Sequence, residues 1–133
     1  MKKRKKLPSM RSLEKKLDDV FSQFIKRRES MGHYALCFTC NKRMSVELVN
    51  GRIKSEAQCG HFVKRQHRSL RWEPLNAQIQ CPRCNMYGGA QDEFAARIVD
   101  KYGAGILSWL LIRKHETVRH TRADLEKMID TFK

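Results

Sequence analysis

Gln80-Cys81-Pro82-Arg83-Cys84-Asn85 decides how this chain folds, because a second pair of the same spacing, Cys37-Phe38-Thr39-Cys40, stands upstream of it. Two thiolates separated by two residues can both reach one tetrahedral ion at roughly 2.3 Å per Zn–S bond. Two such knuckles complete an all-thiolate site with no open position for substrate, so the predicted zinc is structural. It would tie the middle of the chain to the segment that enters a helix at Asn85. Five cysteines are present, an odd number, and four fall into these pairs. That usage suits zinc in a reducing compartment better than a disulfide framework. A redox Cys-x-x-Cys pair is the competing reading, and the second pair argues against it. Cys59, the fifth, reads as a small buried apolar residue, with a replacement ligand or an oxidisable thiol as alternatives.

Between the knuckles, β-branched residues and turn signals predict short strands. Ser45–Val49, Asn50-Gly51 and Arg52–Lys54 have the pattern of a β-hairpin with a tight turn. Upstream, Leu13, Leu17, Val20, Phe21, Phe24 and Ile25 recur at helical spacing and predict a helix over 12–29, with Ser12 as N-cap and Gly32 just past its end. Downstream, Asp92 and Glu93 open a helix with Phe94, Ile98 and Tyr102 on one face and Gly103 as its stop. The segment 106–112 is almost wholly apolar and is expected to be buried. Thr121 with Asp124 marks a last helix carrying Leu125, Met128, Ile129 and Phe132 at core spacing. Trp72 and Trp109 read as core. His33, His115 and His120 lack metal-like spacing and read as surface or phosphate-facing residues. The expected fold class is α+β: a flexible basic arm over 1–11, then one domain over 12–133. Within that domain a small zinc-stapled module (about 33–102) is flanked by an N-terminal helix and by C-terminal helices over 104–133.

A length of 133 residues with 41% hydrophobic residues allows one domain with a modest core, a size at which a metal staple is useful. Lys and Arg number 28 against 14 Asp and Glu, a formal net charge of +14, and the pI is near 10.0. Such an excess favours a polyanionic partner, because bound cations release counterions from phosphates. A generally basic, solubility-driven surface is the bland alternative. Lys2, Lys3, Arg4, Lys5, Lys6 and Arg11 suit an arm lying on phosphates, or simply a solvated tail. No apolar run approaches the roughly 20 residues of a membrane span. No apolar stretch follows the basic N-terminus as in a signal peptide. The expected location is therefore the cytoplasm.

Cys59-Gly60-His61-Phe62-Val63-Lys64-Arg65 and Leu70-Arg71-Trp72-Glu73-Pro74-Leu75-Asn76 fill the loop that zinc would close. A lone strand histidine is usually structural. Here Arg71 and Glu73 lie on the way back, and Asn85 follows the last cysteine, so these groups can converge on one point. Phosphodiester hydrolysis needs such a set: a base for water, a cation for the phosphate oxygens, and a positive group to hold the phosphate. A neutral imidazole suits the first role.

Gly-His-Phe, Arg-Trp-Glu-x-x-Asn and Gln-Cys-x-x-Cys-Asn together resemble the HNH, or His-Me finger (ββα-metal), endonucleases with a treble-clef-like zinc support. More narrowly they resemble the NinG/Rap family of lambdoid-phage recombination nucleases, which act on branched DNA such as Holliday junctions. The resemblance runs from about Cys37 to Tyr102. It implies that His61 is the general base, that Asn85 ligates a catalytic Mg²⁺ or Mn²⁺, and that Asn76 orients the loop. Arg71 would steady the phosphate, while Lys64, Arg65, Arg68, Arg27 and Arg28 would hold the DNA backbone by charge. Two symmetric cuts in a junction call for two active sites, hence a homodimer. A phage- or prophage-encoded protein acting in the host cell is implied as well. One departure stands out: many HNH enzymes have a metal-binding Asp before the catalytic His, and here that position is Gly60. Glu73 is the first candidate for the missing ligand, or else a surface carboxylate paired with Arg71; His67 is the second. Two competing functions remain, an HNH nuclease on ordinary duplex DNA and a non-catalytic zinc-module DNA-binding protein.

Overall fold

The computed structural model describes residues 4–133, so Lys2 and Lys3 of the basic arm lie outside it. A 20-residue helix α1 (Met10–Glu29) opens the fold. It starts before the predicted cap, because the Ser9 hydroxyl, not that of Ser12, takes the capping role and accepts from the Ser12 N–H at 3.1 Å. Strands β1 (Tyr34–Leu36), β2 (Arg43–Val49) and β3 (Arg52–Ser55) then form an antiparallel meander. The β2–β3 register pairs Val49 with Arg52, which leaves Asn50-Gly51 as a two-residue turn. Both of those residues take positive φ, 50° and 78°, the geometry for which Asn-Gly is suited.

Strands β4 (Gln58–His61) and β5 (Ala77–Gln80) form a separate antiparallel pair. A single 3-10 turn, Pro74–Asn76, leads into β5, and the short helix α2 (Pro82–Met86) follows it. The helix therefore begins before Asn85, at a proline already suited to a first helical position. Helices α3 (Gln91–Tyr102), α4 (Ile106–Lys114) and α5 (Arg122–Phe132) complete the chain. The α5 start is the reciprocal box expected of Thr121 and Asp124: each side chain accepts from the other's backbone N–H.

Two apolar clusters hold these elements. In the first, Leu13, Leu17, Phe21 and Ile25 of α1 meet Leu125, Ile129 and Phe132 of α5 and residues of both sheets, including Met44, Ala77 and Ile79. Phe21 stacks edge-on against Phe132 with centroids 5.1 Å apart. Trp72 belongs to this cluster, and the edge of His120, expected at the surface, packs against it at 5.3 Å. In the second, Phe94, Ile98, Ile106 and Leu110 surround Val63 and Leu70. The segment 106–112 is less buried than its composition suggests. Only Ile106 and Leu110 are fully buried; Leu107 and Trp109 pack against the cluster half-buried, and Leu111 and Ile112 are 50% and 69% exposed. A helix buries residues four apart on one stripe, and α4 offers only one side to the core. Trp109 is half-buried and shelters under the Arg113 guanidinium at 4.6 Å. No helix of the described residues is long and apolar enough to cross a membrane.

Candidate active site and metal centre

The two knuckles meet. The sulfurs of Cys37, Cys40, Cys81 and Cys84 all lie within 4.8 Å of one another, and Cys40 Sγ is 3.8 Å from Cys81 Sγ. A tetrahedron with 2.3 Å metal–sulfur bonds has edges of roughly 3.8 Å, so the donor set fits a metal ion such as zinc. Supporting bonds are in place: the Cys84 N–H points at Cys81 Sγ at 3.4 Å, and the Phe38 N–H donates to the Ile79 carbonyl at 2.8 Å. The first knuckle is thereby tied to β5, and the second begins α2. Burial pushes the Cys37 thiol up, but the Thr39 hydroxyl and neighbouring backbone N–H groups outweigh it and bring it down to about 6. Cys40 moves the other way, pushed up to about 12 by burial and by the three crowded sulfurs. Cys37 thus sheds its proton readily, while Cys40 holds its own until a cation compensates it. Cys59 takes no part; burial pushes its thiol up to about 12, which makes it unreactive.

The strand–strand–helix unit β4–β5–α2 carries both His61 and Asn85. Between it and α1 lies a cavity of about 660 Å³ that both residues line. Strand β4 adds Gln58 and Cys59, the following loop adds Lys64, Arg65 and Gln66, and α1 adds Asp18, Ser22 and Lys26 at four-residue intervals. Three cations thus face one carboxylate, and that carboxylate is already paired, so the cavity favours an anion.

His61 is fixed in tautomer as well as in place. Its Nε2 lies 2.8 Å from the Arg71 carbonyl. A carbonyl only accepts, so the proton sits on Nε2 and Nδ1 keeps its lone pair. The ring packs against Phe21 with centroids 5.9 Å apart. Burial, chiefly, and the Arg65 charge lower its pKa below the ordinary 6.5, against the Arg71 carbonyl and Asp18, so the neutral form prevails near pH 7. Asn85 donates from Nδ2 to Gln58 Oε1 at 2.9 Å, which leaves its own oxygen available to a ligand. Asn76 is fully buried under the loop: it accepts from the Val63 N–H and donates to the Val63 and Leu70 carbonyls. Those three bonds hold the chain that leaves His61.

Other residues expected at the site are elsewhere. Arg71 turns its guanidinium to Asp18, with Nε and Nη2 at 3.0 and 2.6 Å, and is not among the residues lining the cavity. Only its carbonyl serves His61. The Glu73 carboxylate caps the 3-10 turn by accepting from the Leu75 N–H at 3.2 Å, which takes it away from the cavity and from Arg71. His67 does not line the cavity either; its Nε2 lies beside Gln66. Arg28 is a staple within the fold: its guanidinium donates to the Pro74 and Ala77 carbonyls at 2.9 and 2.6 Å, locking α1 to the start of β5. Arg27 reaches the Phe132 carbonyl at the end of α5. Arg68 pairs with Glu14 at 2.5 Å, and Arg65 lies 3.4 Å from Asp18. Of the five cations expected to hold a polyanion, Lys64 and Arg65 line the cavity.

Asp18, which no motif in the sequence marks, organises the site. Besides Arg71 it accepts from the Trp72 indole N–H at 2.9 Å, and it is the one carboxylate lining the cavity. Its signal is the polar stripe Asp18, Ser22, Lys26 on a helix whose apolar face is offset by one residue. Gly60 also has a reason. A Cβ built there would lie 1.9 Å from Gln80 Oε1 and 2.7 Å from its Cδ. The buried Gln80 side chain occupies the space beside His61 into which an acid at position 60 would have to project. That side chain donates to Thr39 Oγ1 and to the Gly89 carbonyl, so it runs from the cysteine cluster to the turn after α2.

No curated protein and no solved structure matches the chain. A sequence model of the family described as bacteriophage lambda NinG protein matches residues 1–133, the whole of it, and the chain belongs to that family.

Proposed function

We propose that this protein is a metal-dependent DNA endonuclease of the HNH type that hydrolyses phosphodiester bonds in branched recombination intermediates such as Holliday junctions. The observation that carries the reading is a histidine with a defined lone pair, His61, which lines the same cation-rich cavity as Asn85 on a strand–strand–helix unit. The cysteine cluster at the junction of β5 and α2 is in keeping with a treble-clef-like zinc support for that unit.

His61 Nδ1 accepts the proton of the attacking water, and the Nε2–H bond to the Arg71 carbonyl keeps the ring in register through the transfer. Lys64, Arg65 and Lys26 draw the phosphate in and oppose its charge. Asn85 Oδ1 would hold a divalent ion there, with Asp18 the one carboxylate that also lines the cavity. Such an ion, when bound, neutralises the non-bridging and leaving oxygens. Neither Glu73 nor His67 is offered as a ligand to it. Asp18 positions Arg71 and Trp72, and through the Arg71 backbone it positions His61.

The test is cleavage of a labelled four-way junction and its matched linear duplex, in Mg²⁺ and in Ca²⁺, by wild type and His61→Ala. Cutting of the junction in Mg²⁺ by wild type alone upholds the reading. A specific observation favours one rival: Gly60, with Gln80 in the space of the missing acid, suits a non-catalytic DNA-binding module. Tight binding of the junction with no cutting in any divalent ion would establish that rival instead.

A further inference from the structure

Directly after Asn85 the chain exposes two large apolar side chains, Met86 at 68% and Tyr87 at 80%. Neither belongs to an apolar cluster. The segment is nonetheless held at both ends. On one side it emerges from the cysteine-bearing α2, whose Asn85 and Tyr87 N–H groups donate to the Cys81 and Arg83 carbonyls at 3.0 and 3.2 Å. On the other, Gly88, Gly89 and Ala90 all take positive φ, and the Gly89 carbonyl accepts from buried Gln80 at 2.9 Å. The Lys64 ammonium rests against Gly89, only 2.8 Å from where a Cβ would be. An anchored apolar pair is therefore presented to solvent at the rim of a basic cavity.

We infer that Met86 and Tyr87 form a stacking platform for a nucleobase lying out of the helical stack beside the phosphate that Asn85 faces. The inference rests on the nuclease reading and sharpens it: the substrate class is DNA whose stacking is interrupted at the cut. Reach is adequate. Consecutive Cα atoms are about 3.8 Å apart, so the Tyr87 Cα lies at most about 7.6 Å from that of Asn85, about two steps at 3.4 Å per nucleotide. Chemistry agrees. A tyrosine face and a polarizable thioether suit an aromatic ring, while Lys64 and Arg65 suit its phosphate. An apolar protein partner would have to bury the Lys64 ammonium with no counter-charge, whereas a nucleotide answers both surfaces. Continuous duplex keeps its bases stacked, and a branch point frees one at least cost.

The experiment places 2-aminopurine at the branch of a four-way junction and at the same position of a linear duplex. Ca²⁺ replaces Mg²⁺, so binding is read without cutting. Wild type is expected to change the junction's fluorescence and to prefer the junction. Tyr87→Ala should weaken junction binding by about fivefold or more while duplex binding stays within about twofold. Tyr87→Phe should retain the preference. Equal weakening on both substrates, or no change on either, would overturn the platform; zinc content and the denaturation midpoint verify that each variant is folded. Parallel cleavage in Mg²⁺ separates the two ideas. A junction preference that depends on Tyr87 without any cutting upholds the platform and removes the nuclease. Cutting that ignores Tyr87 does the reverse.

Discussion

Replacing Gly60 by alanine adds a single methyl group and tests how closely the cavity and the cysteine cluster are coupled. Its φ is outside the left-handed region, so the backbone accepts alanine and the cost is steric. The new Cβ would sit 1.9 Å from Gln80 Oε1, 2.7 Å from Cδ and 2.9 Å from Cγ, so three atoms of one buried side chain must move. Overpacking of this kind costs about 1–3 kcal/mol. If Gln80 swings away it also gives up its bonds to Thr39 Oγ1 and the Gly89 carbonyl, each contributing about 0.5–1.5 kcal/mol. The expected loss is about 2–6 kcal/mol, a large share of a domain's usual margin of about 5–15 kcal/mol. Urea denaturation of the zinc-loaded protein, followed by the fluorescence of buried Trp72, measures it. The decisive comparison repeats the substitution in a Gln80→Ala background, where the obstructing atoms are gone. There Gly60→Ala should cost less than about 0.5 kcal/mol, a strong coupling between the two sites. An equal cost in both backgrounds would refute the steric account, as would a near-zero cost in the wild type. By the same reasoning Gly60→Asp, which restores an acid before His61, should lose activity in Mg²⁺, not gain it.

Removing the zinc ligand in Cys81→Ser should abolish stoichiometric zinc binding and the cooperative unfolding transition; a variant that unfolds like wild type without metal would dismiss the staple. Because the Cys40 and Cys84 thiols are held above the ordinary thiol value, zinc uptake should release protons and weaken as pH falls, which calorimetry in buffers of different ionisation enthalpy can read. For His61 the lowered pKa means that the unfolded chain binds more proton than the folded one between the folded value and 6.5. Its contribution to stability is present above that window and is lost as pH falls through it. If His61 is the base, the acid limb of kcat/KM should also fall below pH 6.5, and a limb above that value would exclude it. Asp18→Ala leaves the half-buried Arg71 guanidinium and the Trp72 indole unpaired. A loss of about 2–4 kcal/mol is expected by denaturation, and a loss under about 0.5 kcal/mol would show that Asp18 is only a solvated surface acid.

The parts of this fold legible in sequence are those governed by neighbours along the chain. The Asn50-Gly51 hairpin, the Thr121–Asp124 box and the α1 stripe each depend on residues within a few positions, and so does the reach of each Cys-x-x-Cys pair. What was not legible depends on the third dimension. Arg28 and Arg65 read alike as basic residues, yet one is locked onto two backbone carbonyls and the other faces the cavity. Arg71 was expected to hold phosphate, but its partner Asp18 lies 53 positions away, a pairing no local pattern encodes. Glu73 reads in sequence as a metal ligand or as an Arg71 partner, but in the fold its carboxylate accepts from the Leu75 N–H two residues on. The apolar segment 106–112 announced a helix correctly but not how much of it would find a surface to cover.

Gln80 joins these two kinds of information. In sequence it is only the residue before a cysteine; in the fold it is completely buried between the knuckle at Thr39, the turn at Gly89 and the backbone at Gly60. β5 carries it, and β5 also pairs with the strand that presents His61, opposite Ala77. A metal drawing the four cysteines together therefore acts on the cavity along two routes, one through the β4–β5 ladder and one through this side chain. The cost is visible in the same residue: Gln80 Oε1 finds no hydrogen-bond donor. Leaving a buried oxygen unpaired costs about 1–3 kcal/mol, and a leucine at position 80 would avoid that cost. It would also lose the bonds to Thr39 and Gly89. That the amide is present argues that position 80 serves the alignment of His61 with Asn85 more than the bulk stability of the core.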